Sequence, residues 1–335
     1  MMSLGVAVRV GLLGGALALA SCLASCAKHD GPAPIVCGPP TDDAPAQLAC
    51  TGLYADFETK EVAKTARLYA PAVSFWSDGY EKSRWIELPD GTQIDASSMD
   101  DWKFPVGTKV WKEFRFGERK IETRLLWKVK EDRWVQAAYV WSEDGTTATR
   151  GEGQSLTVEG AKYHVPSLIE CNDCHKGSKD TLLGFEAISL AQPAATGLTL
   201  AVLAQENRLA PPPARTTISL DPGLGVLHVN CGVSCHNSTP AADGRDSTLR
   251  LRIGFDEAAS KPVDSWQLLS SAVNVPATLP GWSGGLRIAP GEPDKSVIIA
   301  SMKARGTGQM PPSTREVDFA GVAAVEAFVR SLPPR

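Results

Sequence analysis

Apolar and polar positions divide the chain into stretches of different period. Val10 to Ala20 is an unbroken apolar run behind the lone charge of Arg9, too short for a stop-transfer helix but of signal-peptide length. Ala27 to Gln47 holds five prolines and no apolar period, which predicts an extended tether over 27–50. From 51 to about 165, β-prone runs alternate with Asp-Gly turns. Arg84 to Leu88 and Thr92 to Ile94 flank Pro89-Asp90-Gly91, and Trp134 to Trp141 and Thr146 to Thr149 flank Glu143-Asp144-Gly145. A further hairpin is expected at Glu131-Asp132, between Lys120 to Trp127 and the strand starting at Arg133. Short strands joined this way predict an antiparallel β sandwich or jelly roll.

Helical period follows. Residues 197–209 space their apolar positions as a helix with Thr199 near its start, and Pro211 to Pro213 stop it. A boundary is expected between Ala210 and Leu220. Asp221-Pro222 caps a helix, and Asp318 precedes a closing one, Phe319 to Leu332, whose Val322, Val325, Phe328 and Val329 share a face. The expected fold is therefore α+β and multidomain: a β domain over 51–165, a segment with a helix over 166–210, and an α-helical domain over 211–335.

Charge and cysteine usage narrow the partners. The 335 residues carry a net charge of −4, which becomes −5 once Arg9 leaves with the leader (−4 minus +1), and there is no basic run. Nucleic acid is thereby excluded as an expected partner. About 310 residues remain after residues 1–26, enough for two modest domains. Leu19-Ala20-Ser21-Cys22 and Leu23-Ala24-Ser25-Cys26 both resemble the lipobox of bacterial lipoproteins, whose cysteine is acylated; ordinary small-residue cleavage is the other reading. Use of Cys26 leaves Cys37 and Cys50 as a pair, whereas use of Cys22 leaves a thiol over. Either way the chain is expected in the cell envelope, facing the periplasm and lipid-anchored, where a Cys37–Cys50 disulfide can persist.

The remaining four cysteines carry the chemistry. Cys171-Asn-Asp-Cys174-His175 has the spacing of c-type haem attachment, with two thiols for the porphyrin vinyl groups and a histidine for an axial position on iron. Cys231-Gly-Val-Ser-Cys235-His236 has one residue more, so its sulfurs stand at i,i+4, which still places them on one helical face. With 8 Cys and 5 His, chance placement gives a Cys-x-x-Cys-His roughly 0.003 times per chain. The competing readings are disulfides or a four-thiolate zinc site. Two covalently attached c-type haems are expected, with His175 and His236 as proximal ligands.

The run Phe75 to Gly91, Phe104-Pro-Val-Gly-Thr108, Lys112-Glu-Phe114, Glu122 to Leu126 and Val165-Pro-Ser167, leading into Cys171 to His175 and Leu183-Gly-Phe185, resembles uncharacterised haem-binding proteins of exported bacterial chains. That resemblance spans roughly residues 67 to 190 and implies haem at the first motif, with no reaction attached. The last part is similar to class I cytochrome c. There Gly308-Gln-Met310-Pro-Pro312 looks like the loop of the distal methionine, which implies Met310 as ligand of the second iron, with Met302 as runner-up. The intervening insertion, with Trp266 and Trp282, departs from the compact cytochromes.

For the first iron His164 is the candidate sixth ligand, a plain surface histidine being the alternative and Met99 a remote one. His29 and His228 read as linker and packing residues. Seven of the nine tryptophans, Trp76 to Trp141, lie in the β region and read as core rather than a binding face. The expected function is one-electron transfer between redox partner proteins. The alternatives are a peroxidase-like dihaem oxidoreductase with an open first haem, and a β-domain lipoprotein that binds a polymer or partner. No catalytic side chain is singled out.

Overall fold

The structure is a computed structural model that describes residues 1–2, 35–39, 41–278 and 281–333. The lipobox cysteines, Cys22 and Cys26, and His29 lie outside the described residues. Cys37 to Arg335 form one compact unit.

In chain order the strands are β1 (Tyr54–Asp56), β2 (Glu61–Val62), β3 (Arg67–Ala70), β4 (Glu81–Glu87), β5 (Ile94–Asp95), β6 (Lys109–Phe116), β7 (Arg119–Lys130), β8 (Arg133–Trp141) and β9 (Ala148–Arg150). They continue with β10 (Gln154–Val158), β11 (Ala161–Val165), β12 (Thr196–Gly197) and β13 (Leu209–Ala210). The helices are α1 (Leu168–His175), α2 (Ala187–Ala191), α3 (Leu200–Gln205), α4 (Pro222–Leu227), α5 (Phe255–Ser260), α6 (Gln267–Ala272), α7 (Val297–Lys303) and α8 (Phe319–Ser331). The fold is mixed α+β.

A seven-stranded antiparallel sheet, in the order β12-β3-β4-β6-β7-β8-β9, organises the molecule. Alternation gives it two buried faces. Trp85, Trp111, Leu125, Ala137 and Tyr139 point to one, where Leu48, Leu53 and Tyr54 cover them. Ile86, Val110 and Leu126 point to the other and share a core with Leu224, Leu227, Val325 and Phe328 of the helical part. The sandwich expectation is corrected here: the sheet is covered by helices, loops and two-stranded ribbons, not by a second sheet of its own size. The two halves expected to part between 210 and 220 are sealed by one continuous core.

Other expectations meet mixed outcomes. The hairpins at Glu131-Asp132 and Glu143-Asp144-Gly145 form, as β7–β8 and β8–β9. The turn at Pro89 closes through Thr92 N–H to Pro89 O at 3.2 Å, but its flanks do not pair. Instead β5 pairs in parallel with β13, and Arg208 donates to the carbonyls of Leu88 and Pro89. The helix expected over 197–209 is shortened to α3, which ends at Gln205 two residues before Asn207 turns into the left-handed region. The tether is also shorter than expected, because Ala44 and Leu48 are buried and Cys37 is disulfide-bonded to Cys50.

α4 and α8 form as the caps predict. Asp221 accepts from Gly223 and Leu224 N–H, and Asp318 accepts from Gly321 N–H. They pack so closely that a Cβ at Gly223 would stand 2.6 Å from the Ala324 carbonyl. Trp85, Trp102, Trp111 and Trp141 are buried, in keeping with the core reading, while Trp76, Trp127 and Trp134 are half-buried. Among the described residues no helix is long and apolar enough to cross a membrane.

Candidate haem-attachment site

The first motif rides on α1, whose start is set by a reciprocal cap: Ser167 Oγ accepts from Glu170 N–H, and Glu170 Oε2 accepts from Ser167 N–H at 2.7 Å. No residue of α1 is buried, and Ile169 is 76% exposed. A helix of this length gains little alone. It is tied to the sheet through Gln136 Nε2, which donates to Asn172 Oδ1 at 2.9 Å.

His175 closes the helix and points Nδ1 at the Thr181 carbonyl, 2.6 Å away. Thr181 has φ +63 and follows Asp180, whose carboxylate accepts from Lys128 Nζ, Trp134 Nε1 and Phe104 N–H at 2.6 to 2.9 Å. The imidazole is thus oriented from strand β7 through Asp180 to Thr181. With its Nδ1 hydrogen donated, Nε2 keeps its lone pair, and burial pushes the pKa down to about 4, so the ring is neutral at pH 7.

The second motif follows α4 through a wide π-type turn over His228–Gly232. Val233 N–H bonds to His228 O at 2.9 Å and His236 N–H to Cys231 O at 2.8 Å, each spanning five residues. In the first motif the cysteine and histidine are four apart on an α-turn. The extra residue of the second is therefore taken up by wider, π-type turns, after which the helix ends. His236 Nδ1 lies 3.2 Å from Ser247 Oγ, whose own hydrogen goes to Gly244 O. Burial pushes His236 down to about 4 as well.

Read as separate sites in separate domains, the two motifs are in fact neighbours. Ser234 Oγ, between Cys231 and Cys235, donates to the Cys174 carbonyl at 2.7 Å. Asn237, the residue after His236, donates to the carbonyls of Gly177, Gly232 and Val233. Gly177 meets Ser234 backbone to backbone: a Cβ there would lie 1.6 Å from the Ser234 carbonyl oxygen. Lys176 and Asp243 add an ion pair at 2.7 Å.

All four thiols of the motifs are unbonded and partly buried. Burial raises each of them, Cys231 to about 12, which keeps them protonated. Among the described residues no three His, Cys, Asp or Glu side chains converge to hold a bare metal ion.

The candidate distal ligands fare differently. His164 sits on β11 with Nε2 2.8 Å from Glu170 Oε1, so its ring is engaged beside α1. Met310 and Met302 line one cleft with Cys231, Asn230 and Trp76. Met310 is held there by its N–H to Ser301 O at 2.9 Å, by the Gln309 side chain bonding to Gly306 and Pro311, and by Trp282 donating to Gly308 O. Asn230 Oδ1 accepts from Trp76 N–H at 2.6 Å, while its buried Nδ2 has no partner. His228 is a core residue, 1% exposed, accepting from Ile253 N–H and lying 3.5 Å from Glu186.

The donor set fits a covalently attached haem at each motif: paired free thiols, a neutral imidazole fixed at Nδ1 with Nε2 uncommitted, and apolar Leu168 and Ile169 uncovered beside the first pair. Sequence reasoning missed Asp180, Ser234, Asn237 and Gly177. The nearest signal was that Gly177 and Asn237 each follow a motif histidine by one or two residues. No protein-family model, curated protein or solved structure matches the chain.

Proposed function

We propose that the chain is a dihaem c-type cytochrome of the cell envelope, anchored by a lipid on Cys26 or Cys22, that passes single electrons between redox partner proteins. The observation carrying this reading is the direct contact of two Cys-Cys-His segments, each with its histidine neutral and held at Nδ1. Haem bound there supplies the one-electron iron couple. The protein's part is to hold and shield it. Thr181 and Ser247 fix the tautomer of the two imidazoles, Cys171, Cys174, Cys231 and Cys235 would provide the attachment sulfurs, and Met310, which lines one cleft with Cys231, would be the further protein ligand there. A thioether at that position favours reduced iron.

The runner-up is a dihaem oxidoreductase whose first iron keeps an open position, favoured by the engagement of His164 with Glu170. The polymer-binding alternative needs tryptophans on one exposed face, and four of the seven in the β region are instead buried.

The test is the full chain exported through a haem-attaching periplasm. Intact mass should show two haems, reduced by one to half by Cys171→Ser with Cys174→Ser and likewise by Cys231→Ser with Cys235→Ser. Low-spin spectra for both irons fit the carrier, and a high-spin fraction with peroxide turnover fits the oxidoreductase. A chain that leaves the periplasm with bare sulfurs, or sulfurs joined to each other, ends both readings.

A further inference from the structure

One row of the sheet is unlike its neighbours. On the face that meets α1, Arg84 stands opposite Lys112 and Lys112 opposite Arg124, three cations in line across β4, β6 and β7. Lys82 lies in the next row, opposite Phe114. The row on the near side is Ile86, Val110 and Leu126, all in the main core, and Phe114 and Val140 lie on the far side. Like charges facing across strands repel, and burial removes the water that would screen them.

Compensation within the protein is thin. Arg124 has Glu122, at 2.7 and 3.0 Å. Arg84 is 6% exposed and reaches only Ser74 Oγ, at 3.3 Å. Lys112 has no hydrogen bond or ion pair among the described residues, its Nζ lying 4.9 Å over the Phe114 ring, and Lys82 donates to Phe75 O. Glu122 is the one carboxylate hydrogen-bonded to this group among the described residues, and Asp318 and Asp78 act on Lys82 alone from farther off. Burial first, and the neighbouring cations second, push Lys82 down to about 8 and Lys112 well below the ordinary lysine range. The same face carries the first motif, since Gln136, which stands opposite Leu126, holds α1 there by donating to Asn172 Oδ1 at 2.9 Å.

We propose that Arg84, Lys112 and Arg124 form a binding site for a carboxylate or oxyanion beside His175. An anion there completes the charge that the sheet leaves open, and guanidinium donors match its oxygens in pairs. Aliphatic residues fill the adjoining row, so packing alone would be met by the same at 84 and 112. Two sources supply this chemistry. Under the dihaem reading, on which this source rests, they are the propionates of the first haem; the second source is a free oxyanion from solution.

The experiment uses the full chain, with and without attached haem, and the variants Arg84→Met and Lys112→Met, their folding checked by circular dichroism. Without haem, inorganic phosphate should raise the melting temperature of the wild type above that in chloride of equal ionic strength, with at least tenfold weaker apparent affinity in Lys112→Met. With haem, a propionate source makes the potential indifferent to phosphate, lowers it in both variants and shifts the propionate vibrations in the Raman spectrum. A free-anion source gives a saturable phosphate shift of the wild-type spectrum that both variants lose. The site is overturned if phosphate protects the haem-free chain no better than chloride and both variants keep the potential and vibrations of the wild type. Absence of haem at Cys171 and Cys174 would end the dihaem reading while the phosphate arm still decides the anion site.

Discussion

Asp180 shows how one side chain serves both stability and the site. It satisfies Lys128, which is 1% exposed, and at the same time sets the turn that offers the Thr181 carbonyl to His175. Asp180→Ala should cost about 3–5 kcal/mol in urea unfolding, the range for stranding one member of a buried ion pair, and under the proposed dihaem reading should broaden the spectrum of the first haem only. Acid is a second probe. His175 and His236 titrate near 4 in the fold against 6.5 when free, so the unfolded chain binds more protons in that window. The haem-free chain should therefore lose stability as pH falls from 6.5 to 4, by up to about 1.4 kcal/mol per pH unit per histidine. Iron holding both rings neutral should move that loss to lower pH, which melting curves of the two forms will show. Of these residues the sequence exposed the histidines through their cysteines. Asp180 was illegible, because its importance comes from a lysine on a strand 52 residues away.

At the scale of elements, the cysteine spacing and the end caps were readable because both are local. Asp221 and Asp318 announce α4 and α8, while the equally local Ser167–Glu170 cap of α1 went unread. The partners of β5 and β13 were not, since pairing across more than a hundred residues leaves no local mark. Nor was the meeting of the two motifs, which rests on the lack of a side chain at Gly177. Gly177→Ala puts a methyl group into the Ser234 carbonyl, so the segments must part. The expected outcome is loss of about 3 kcal/mol or more, in the range of severe single substitutions. Under the dihaem proposal the two potentials should also become independent in a redox titration; unchanged coupling would show that the contact does not link the two sites.

Across the whole molecule, Cys37–Cys50 fastens the start of the compact unit, a closure of 13 residues. Cys37→Ser should lower stability by about 2–3 kcal/mol, as expected for a loop of this size, and free the segment ahead of Ala44 to protease while the haem spectra stay unchanged. The α+β character was legible from the two periods along the chain. The single core was not, because Ile86 and Val325 each look like the interior of a separate domain until the sheet and α8 are seen to share it.

The backbone contact at Gly177 also bears on how such a molecule can be rearranged. A graft that exchanges residues after 210 for a foreign sequence would remove Ser234 and Asn237 as donors to the Cys174 and Gly177 carbonyls. The first Cys-Cys-His segment would lose its floor along with its neighbour, so these halves are heritable only as a matched set.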